Sequence, residues 1–124
     1  MLIDEELTYE IRGAAMEVHR ELGPGLLESV YERCLCHELK LRSIAFQSQL
    51  ALPIRYKGET LESGLRVDVL VEERVVLELK SVDQLTAVHE AQVLTYLKLA
   101  KKRLGLLINF NVPLIKDGIR RFVM

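Results

Sequence analysis

Leu65-Arg66-Val67-Asp68-Val69-Leu70-Val71, then Glu72-Glu73-Arg74, then Val75-Val76-Leu77-Glu78-Leu79-Lys80: the reading of this run decides the fold. Both flanks are rich in valine and leucine, and successive side chains on a strand point to opposite faces. Leu65, Val67, Val69 and Val71 therefore share one face, with Arg66, Asp68 and Leu70 on the other. Likewise Val75, Leu77 and Leu79 oppose Val76, Glu78 and Lys80. A three-residue loop, Glu72-Glu73-Arg74, pairs Val71 with Val75, Val69 with Leu77 and Val67 with Leu79, all apolar. On the opposite face the same register sets Asp68 across from Glu78 and Arg66 across from Lys80. A two-residue loop pairs Asp68 with Leu77 and puts charge on both faces, so burial selects the odd register.

Two carboxylates directly opposite each other repel by up to about 1 kcal/mol on a sheet surface. A bound Mg2+ or Mn2+ reverses the sign of that interaction. Such hard cations take oxygen ligands, Mg2+ at about 2.0–2.1 Å. Lys80, two residues from Glu78, shares its face and brings an ammonium beside those oxygens. There it can orient a water or offset charge on a phosphate. The competing reading is a surface charge ladder, Asp68 with Lys80 and Arg66 with Glu78. The apolar flanks, which suit a central strand, and polar residues converging from elsewhere weigh against it.

Before the hairpin come two predicted helices. Asp4 can cap the first, with Glu5 and Glu6 favoured in its first turn. Leu7, Ile11, Ala14, Val18 and Leu22 follow at helical spacing, and Gly23-Pro24-Gly25 ends it. The second runs from about Leu27 to Leu41, with Leu27, Val30, Tyr31, Cys34, Leu35 and Leu39 as its apolar stripe. Phe46, Leu50, Leu52, Ile54 and Tyr56 then share one parity with Ser48, as on a half-buried strand, and Lys57-Gly58 turns the chain.

After the hairpin, a third helix covers roughly Ala87 to Lys102, and Leu104 to Phe110 reads as a strand covered on both faces. Asp117-Gly118 is a hairpin-turn dipeptide between Leu114-Ile115-Lys116 and Ile119 to Val123, and Pro113 confines that tail to a sheet edge. The order α-α-β-β-β-α-β predicts an α/β fold, a mixed central sheet flanked by helices.

The third helix carries polar residues inside its apolar half. Val88, Val93, Leu97, Leu99 and Ala100 span one half of the circumference, and Gln92 and Tyr96 fall within it as i, i+4 neighbours. A buried Gln without partners costs about 1–3 kcal/mol, so it should face a polar site or find backbone partners. His89 reads as structural or as an outer member of the site. On the second helix Glu28 stands three residues before Tyr31. It is either a carboxylate favoured by the helix N-terminus or a further metal or outer ligand.

Composition bounds the rest. A chain of 124 residues, 49% hydrophobic and 28% charged, is expected to form one domain, 1–124, burying about 65% of its unfolded surface. The net charge of −1 gives no global basic field, so nucleic-acid binding needs a local patch or a partner. No stretch reaches 18 apolar residues, so no membrane span is expected. The acidic start lacks the pattern of a secretory signal, and a cytoplasmic location is inferred. Cys34 and Cys36, the only cysteines, lack the second ligand pair of a zinc site and point about 200° apart on a helix. They read as free thiols.

Together these residues resemble the PD-(D/E)XK nuclease superfamily, and more closely its small GxxExxY family. The name-giving motif stands as Gly25-Leu26-Leu27-Glu28-Ser29-Val30-Tyr31. The D…E-x-K signature is Asp68 followed by Glu78-Leu79-Lys80, and the Q-x-x-x-Y motif is Gln92 to Tyr96. Val67 stands where the superfamily name has Pro. The resemblance extends over nearly the whole chain, including Leu106 to Phe110. It implies a restriction-endonuclease-like core, α-β-β-β-α-β, with an extra N-terminal helix. It also implies metal-dependent hydrolysis of phosphodiester bonds with Mg2+ or Mn2+. Asp68, Glu78 and the Leu79 carbonyl would ligate the metal, and Lys80 would position the attacking water. Glu28 would match the superfamily's helical acidic residue, as a catalytic or metal-binding group. Gln92 and Tyr96 would complete the site.

Two functions follow. One is a nuclease acting on DNA or RNA, with basic contacts from Arg66, Lys101, Lys102, Arg103, Arg120 and Arg121. The other is a catalytically silent module of the same fold that binds nucleic acid or a protein partner. A homodimer that builds a basic groove is compatible with either.

Overall fold

The computed structural model describes residues 4–124. Helix α1 spans Glu5–Leu22 and α2 spans Glu28–Leu41. Strands β1 (Phe46–Tyr56), β2 (Glu59–Val71) and β3 (Val75–Lys80) follow, then α3 (Ala87–Ala100), β4 (Leu104–Asn109) and β5 (Ile119–Val123). The five strands form one sheet in the order β1-β2-β3-β4-β5, with β3 and β4 parallel and the other neighbours antiparallel. A parallel pair needs a crossover, and α3 supplies it. Among the described residues no helix is long and apolar enough to cross a membrane.

The sheet is covered on both faces. Under α1 and α2, Ile11, Ala14, Val18, Tyr31, Leu35 and Leu39 pack on Val69, Val71, Val75, Leu77, Leu79, Leu104, Leu106 and Ile108. Against α3, Val93, Tyr96 and Leu97 pack on Leu70, Val76 and Leu107. Double coverage explains why Val75 to Leu79 and Leu104 to Asn109 are buried without alternation. Gly105 lets α3 come close: a Cβ there would lie 3.1 Å from Val93 and 3.3 Å from Leu97.

The three-residue loop is as the sequence requires, with Val71 opposite Val75 and Val69 opposite Leu77. The ladder stops there. The expected pairs Val67 with Leu79, Asp68 with Glu78 and Arg66 with Lys80 do not form, because β2 parts from β3 and continues with β1 alone back to Glu59. At the same level β1 and β2 change face. Phe46, Val69 and Val71 belong to the α1–α2 side, whereas Leu50, Leu52, Leu65 and Val67 join the α3 side. β2 is also longer than expected, and Tyr56 pairs with Glu59 across Lys57-Gly58, both at positive φ.

Other expectations are corrected by packing. Asp4 does not cap α1 with its side chain; its Oδ1 accepts from Arg74 Nη1 at 2.9 Å instead. Leu27 is 73% exposed, lying before the first turn of α2, and Val88 is 76% exposed at the start of α3, where the helix has not yet reached the sheet. The chain does not turn as a hairpin at Asp117-Gly118. Residues Ile115–Gly118 form a 3-10 turn, and β5 pairs with β4. Gly118 is needed there for close approach, since a Cβ would stand 2.1 Å from the Asn109 carbonyl.

Candidate active site

The parting of β2 and β3 opens the space in which the polar residues meet. With no ladder partner on β2 beyond Leu77, the Leu79 amide donates to Asp68 Oδ2 at 2.8 Å. A side-chain carboxylate thus takes the place of a backbone acceptor. N–H and C=O of one strand residue point the same way, so the Leu79 carbonyl also faces the side that β2 has left. Glu78, one residue earlier, is 3% exposed and its carboxyl lies in contact with that of Asp68. Its Oε1 is buried with no hydrogen-bond partner. Burial first, then the Asp68 charge, push the Glu78 carboxyl from its ordinary 4.5 up to about 10, against the opposing pull of Lys80.

From the other face, α3 brings Gln92 and Tyr96. Lys80 Nζ donates to Gln92 Oε1 at 3.3 Å, and Gln92 Nε2 donates to Tyr96 Oη at 3.0 Å. Gln92 therefore orients the ammonium, and Tyr96 orients Gln92. Burial raises the Tyr96 hydroxyl pKa, helped by the charges of Glu78 and Asp68. His89 faces the helix end, where its ring nitrogen and the Thr86 hydroxyl cap each other's backbone amides.

The charge ladder is not what the strands build. Among the described residues neither Asp68 with Lys80 nor Arg66 with Glu78 forms an ion pair. Arg66 instead donates to the Gln49 carbonyl at 3.3 Å. Of the other expected cations, Arg120 pairs with Glu90 on α3. Lys101, Lys102 and Arg103 lie at the Val75–Leu104 end of the parallel pair, opposite the end that carries Lys80. Five strand steps separate those ends, about 17 Å.

On α2 the structure draws attention to a residue the motif does not name. Glu28 is exposed in the first turn. Glu32, one turn on, accepts from Gln49 Nε2 at 2.8 Å, and the same nitrogen reaches Asp68 Oδ1 at 3.4 Å. Burial, then the Asp68 charge, raise the Glu32 pKa; Gln49 lowers it and Glu28 adds to the rise. Glu32 could have been found from its i, i+4 spacing to Glu28, but Gln49 gives no local signal. Tyr31 itself is structural: its hydroxyl donates to the Gly23 carbonyl at 2.6 Å and accepts from the Leu26 amide at 3.2 Å, while its ring stacks on Phe110. Ser81, next to Lys80, donates to the Leu26 carbonyl at 2.5 Å, tying the Gly-Pro-Gly turn to the end of β3.

An orphaned buried carboxylate oxygen beside a second carboxylate is a setting that a divalent cation suits, since its charge turns repulsion into attraction. Asp68, Glu78 and the Leu79 carbonyl offer hard oxygen donors of the right kind. Among the described residues no three His, Cys, Asp or Glu side chains gather to hold an ion by themselves. Solvent or substrate oxygens would complete the shell, as Mg2+ commonly accepts.

No curated protein and no solved structure matches the chain. A family model described as PD-(D/E)XK nuclease superfamily matches residues 5–122, from the first turn of α1 to the penultimate residue of β5, and so spans every element that builds the site. The chain belongs to the PD-(D/E)XK nuclease superfamily.

Proposed function

We propose that this chain is a divalent-metal-dependent nuclease of the GxxExxY type, a single nuclease-like domain that hydrolyses phosphodiester bonds of DNA or RNA. The observation that carries the reading is the buried, partnerless Glu78 Oε1 against Asp68, with Lys80 at hand. Asp68, Glu78 and the Leu79 carbonyl would hold Mg2+ or Mn2+, with Glu28 and Glu32 as the acidic side chains on α2. The bound cation supplies Lewis-acid stabilisation of phosphate charge and activation of water. Lys80, oriented by Gln92 and Tyr96, donates hydrogen bonds to the attacking water or a phosphate oxygen. Asp68, where β2 has parted from β3, and Lys80, at the end of β3, are partly open to solvent, so a polymeric substrate can reach them.

A binding-only module is favoured by one observation, the distance of Lys101, Lys102 and Arg103 from the carboxylates. Calorimetric titration of Mn2+ and Mg2+ into wild type and Glu78→Gln separates the two, with cleavage of single- and double-stranded DNA and RNA followed in the same samples. Saturable binding and cleavage, both lost in the variant, are expected. A wild type that binds no metal at millimolar concentration would exclude the nuclease.

A further inference from the structure

Gln49 has a backbone that its strand does not call for. It adopts φ 53°, the left-handed region that non-glycine residues seldom enter. It lies between the pairs Ser48 with Val69 and Leu50 with Val67, opposite Asp68, where the β1–β2 pairing is interrupted. Strain of this kind persists where surrounding structure imposes it, and it gathers at functional sites.

The side chain shows what the distortion achieves. Its Nε2 donates to Glu32 Oε1 at 2.8 Å and reaches Asp68 Oδ1 at 3.4 Å. An amide nitrogen carries two hydrogens, one for each carboxylate. It separates two like charges without neutralising either, whereas a lysine there would compete with a cation for them. Asp68 is thereby held at both oxygens, Oδ2 by the Leu79 amide and Oδ1 by Gln49. Gln49 thus links Glu32 of α2 to Asp68 by hydrogen bonds.

We infer that Gln49 is a positioning residue, which fixes the Asp68 carboxylate and brings Glu32 of α2 into the site as a further acidic side chain. The inference rests on the proposed nuclease reading and names the device that assembles its acidic groups.

Two variants test it in the full chain. Gln49→Gly removes the amide and relaxes the left-handed backbone, so a merely structural role predicts unchanged or improved stability and unchanged function. Gln49→Asn tolerates that backbone and keeps a shorter amide. Each would be melted, titrated with Mn2+ by calorimetry and assayed for cleavage. The expected result is that Gln49→Gly melts at or above the wild-type temperature yet binds Mn2+ about tenfold or more weakly, with slower cleavage. Gln49→Asn should fall between the two. Wild-type Mn2+ affinity in folded Gln49→Gly or, should that variant not fold, in Gln49→Asn would overturn the inference and leave the nuclease reading intact. A wild type that binds no Mn2+ would overturn that reading and the inference together.

Discussion

Glu78 is the residue whose environment departs most from what water would give it, and its ionisation links fold to function. In the unfolded chain it ionises near its ordinary 4.5, in the metal-free fold near 10. Between these values the native state holds the extra proton, so this group's contribution to stability is complete below about 4.5 and is lost as pH rises towards 10. The slope reaches about 1.4 kcal/mol per pH unit. Metal-free wild type should therefore lose melting temperature relative to Glu78→Gln between pH 5 and pH 8. A difference between the two that does not change with pH would mean that Glu78 is already ionised in the fold. A cation held by Glu78 would have to displace that proton, so on the proposed reading Mn2+ affinity should climb over the same range. Tyr31 illustrates the opposite case, a motif residue that works for the fold. Tyr31→Phe keeps the ring stack on Phe110 but leaves the Gly23 carbonyl and the Leu26 amide without their partner. It should cost about 1–3 kcal/mol in denaturant unfolding while cleavage per folded molecule stays close to wild type.

At the scale of elements, the site depends on how closely α3 and α2 approach a sheet whose middle strand is buried. Gly105 sets the α3 distance, and through it the reach of Gln92 to Lys80. Gly105→Ala should push α3 outward, cost about 1–2 kcal/mol by overpacking and lower cleavage beyond the loss of folded protein. Thermal melts paired with assays well below the melting temperature would check this, and an unchanged rate would show that the Lys80–Gln92 contact is dispensable. The elements were legible to different degrees. The apolar run fixed β3 to the residue, and the loop register followed because a slip would put charge on both faces of the hairpin. Periodicity fixed α1, α2 and α3, since Ile11, Ala14, Tyr31, Leu35, Val93 and Leu97 are buried where the helical stripe puts them. What it could not show is where β2 leaves β3. That departure goes with Asp68 taking the Leu79 amide across the sheet, and no local pattern encodes it. The meeting of Gln49 with Glu32 is hidden for the same reason, being a contact between β1 and α2. The tail differs because Gly118 serves a close approach to Asn109 and not a hairpin turn.

For the whole molecule the question is how a chain of net charge −1 would hold a polyanion. Arg66 and Lys80 stand by the carboxylates, Arg120 is engaged by Glu90, and Lys101, Lys102 and Arg103 gather about 17 Å away along the sheet. A duplex seated over Asp68 and Glu78 would meet two or three cations from one chain. Each phosphate neutralised contributes about −0.9 to the slope of log affinity against log salt. Metal-free protein titrated onto a labelled duplex from 50 to 200 mM salt should thus give a slope no steeper than about −3, with weak binding throughout. A second chain that set its own Lys101–Arg103 cluster beside the first chain's carboxylates would add about three more contacts. The slope would then steepen to about −5 and binding would become cooperative in protein concentration. The first result makes a single chain a weak binder of nucleic acid. The second makes the complete nucleic-acid surface a property of the dimer.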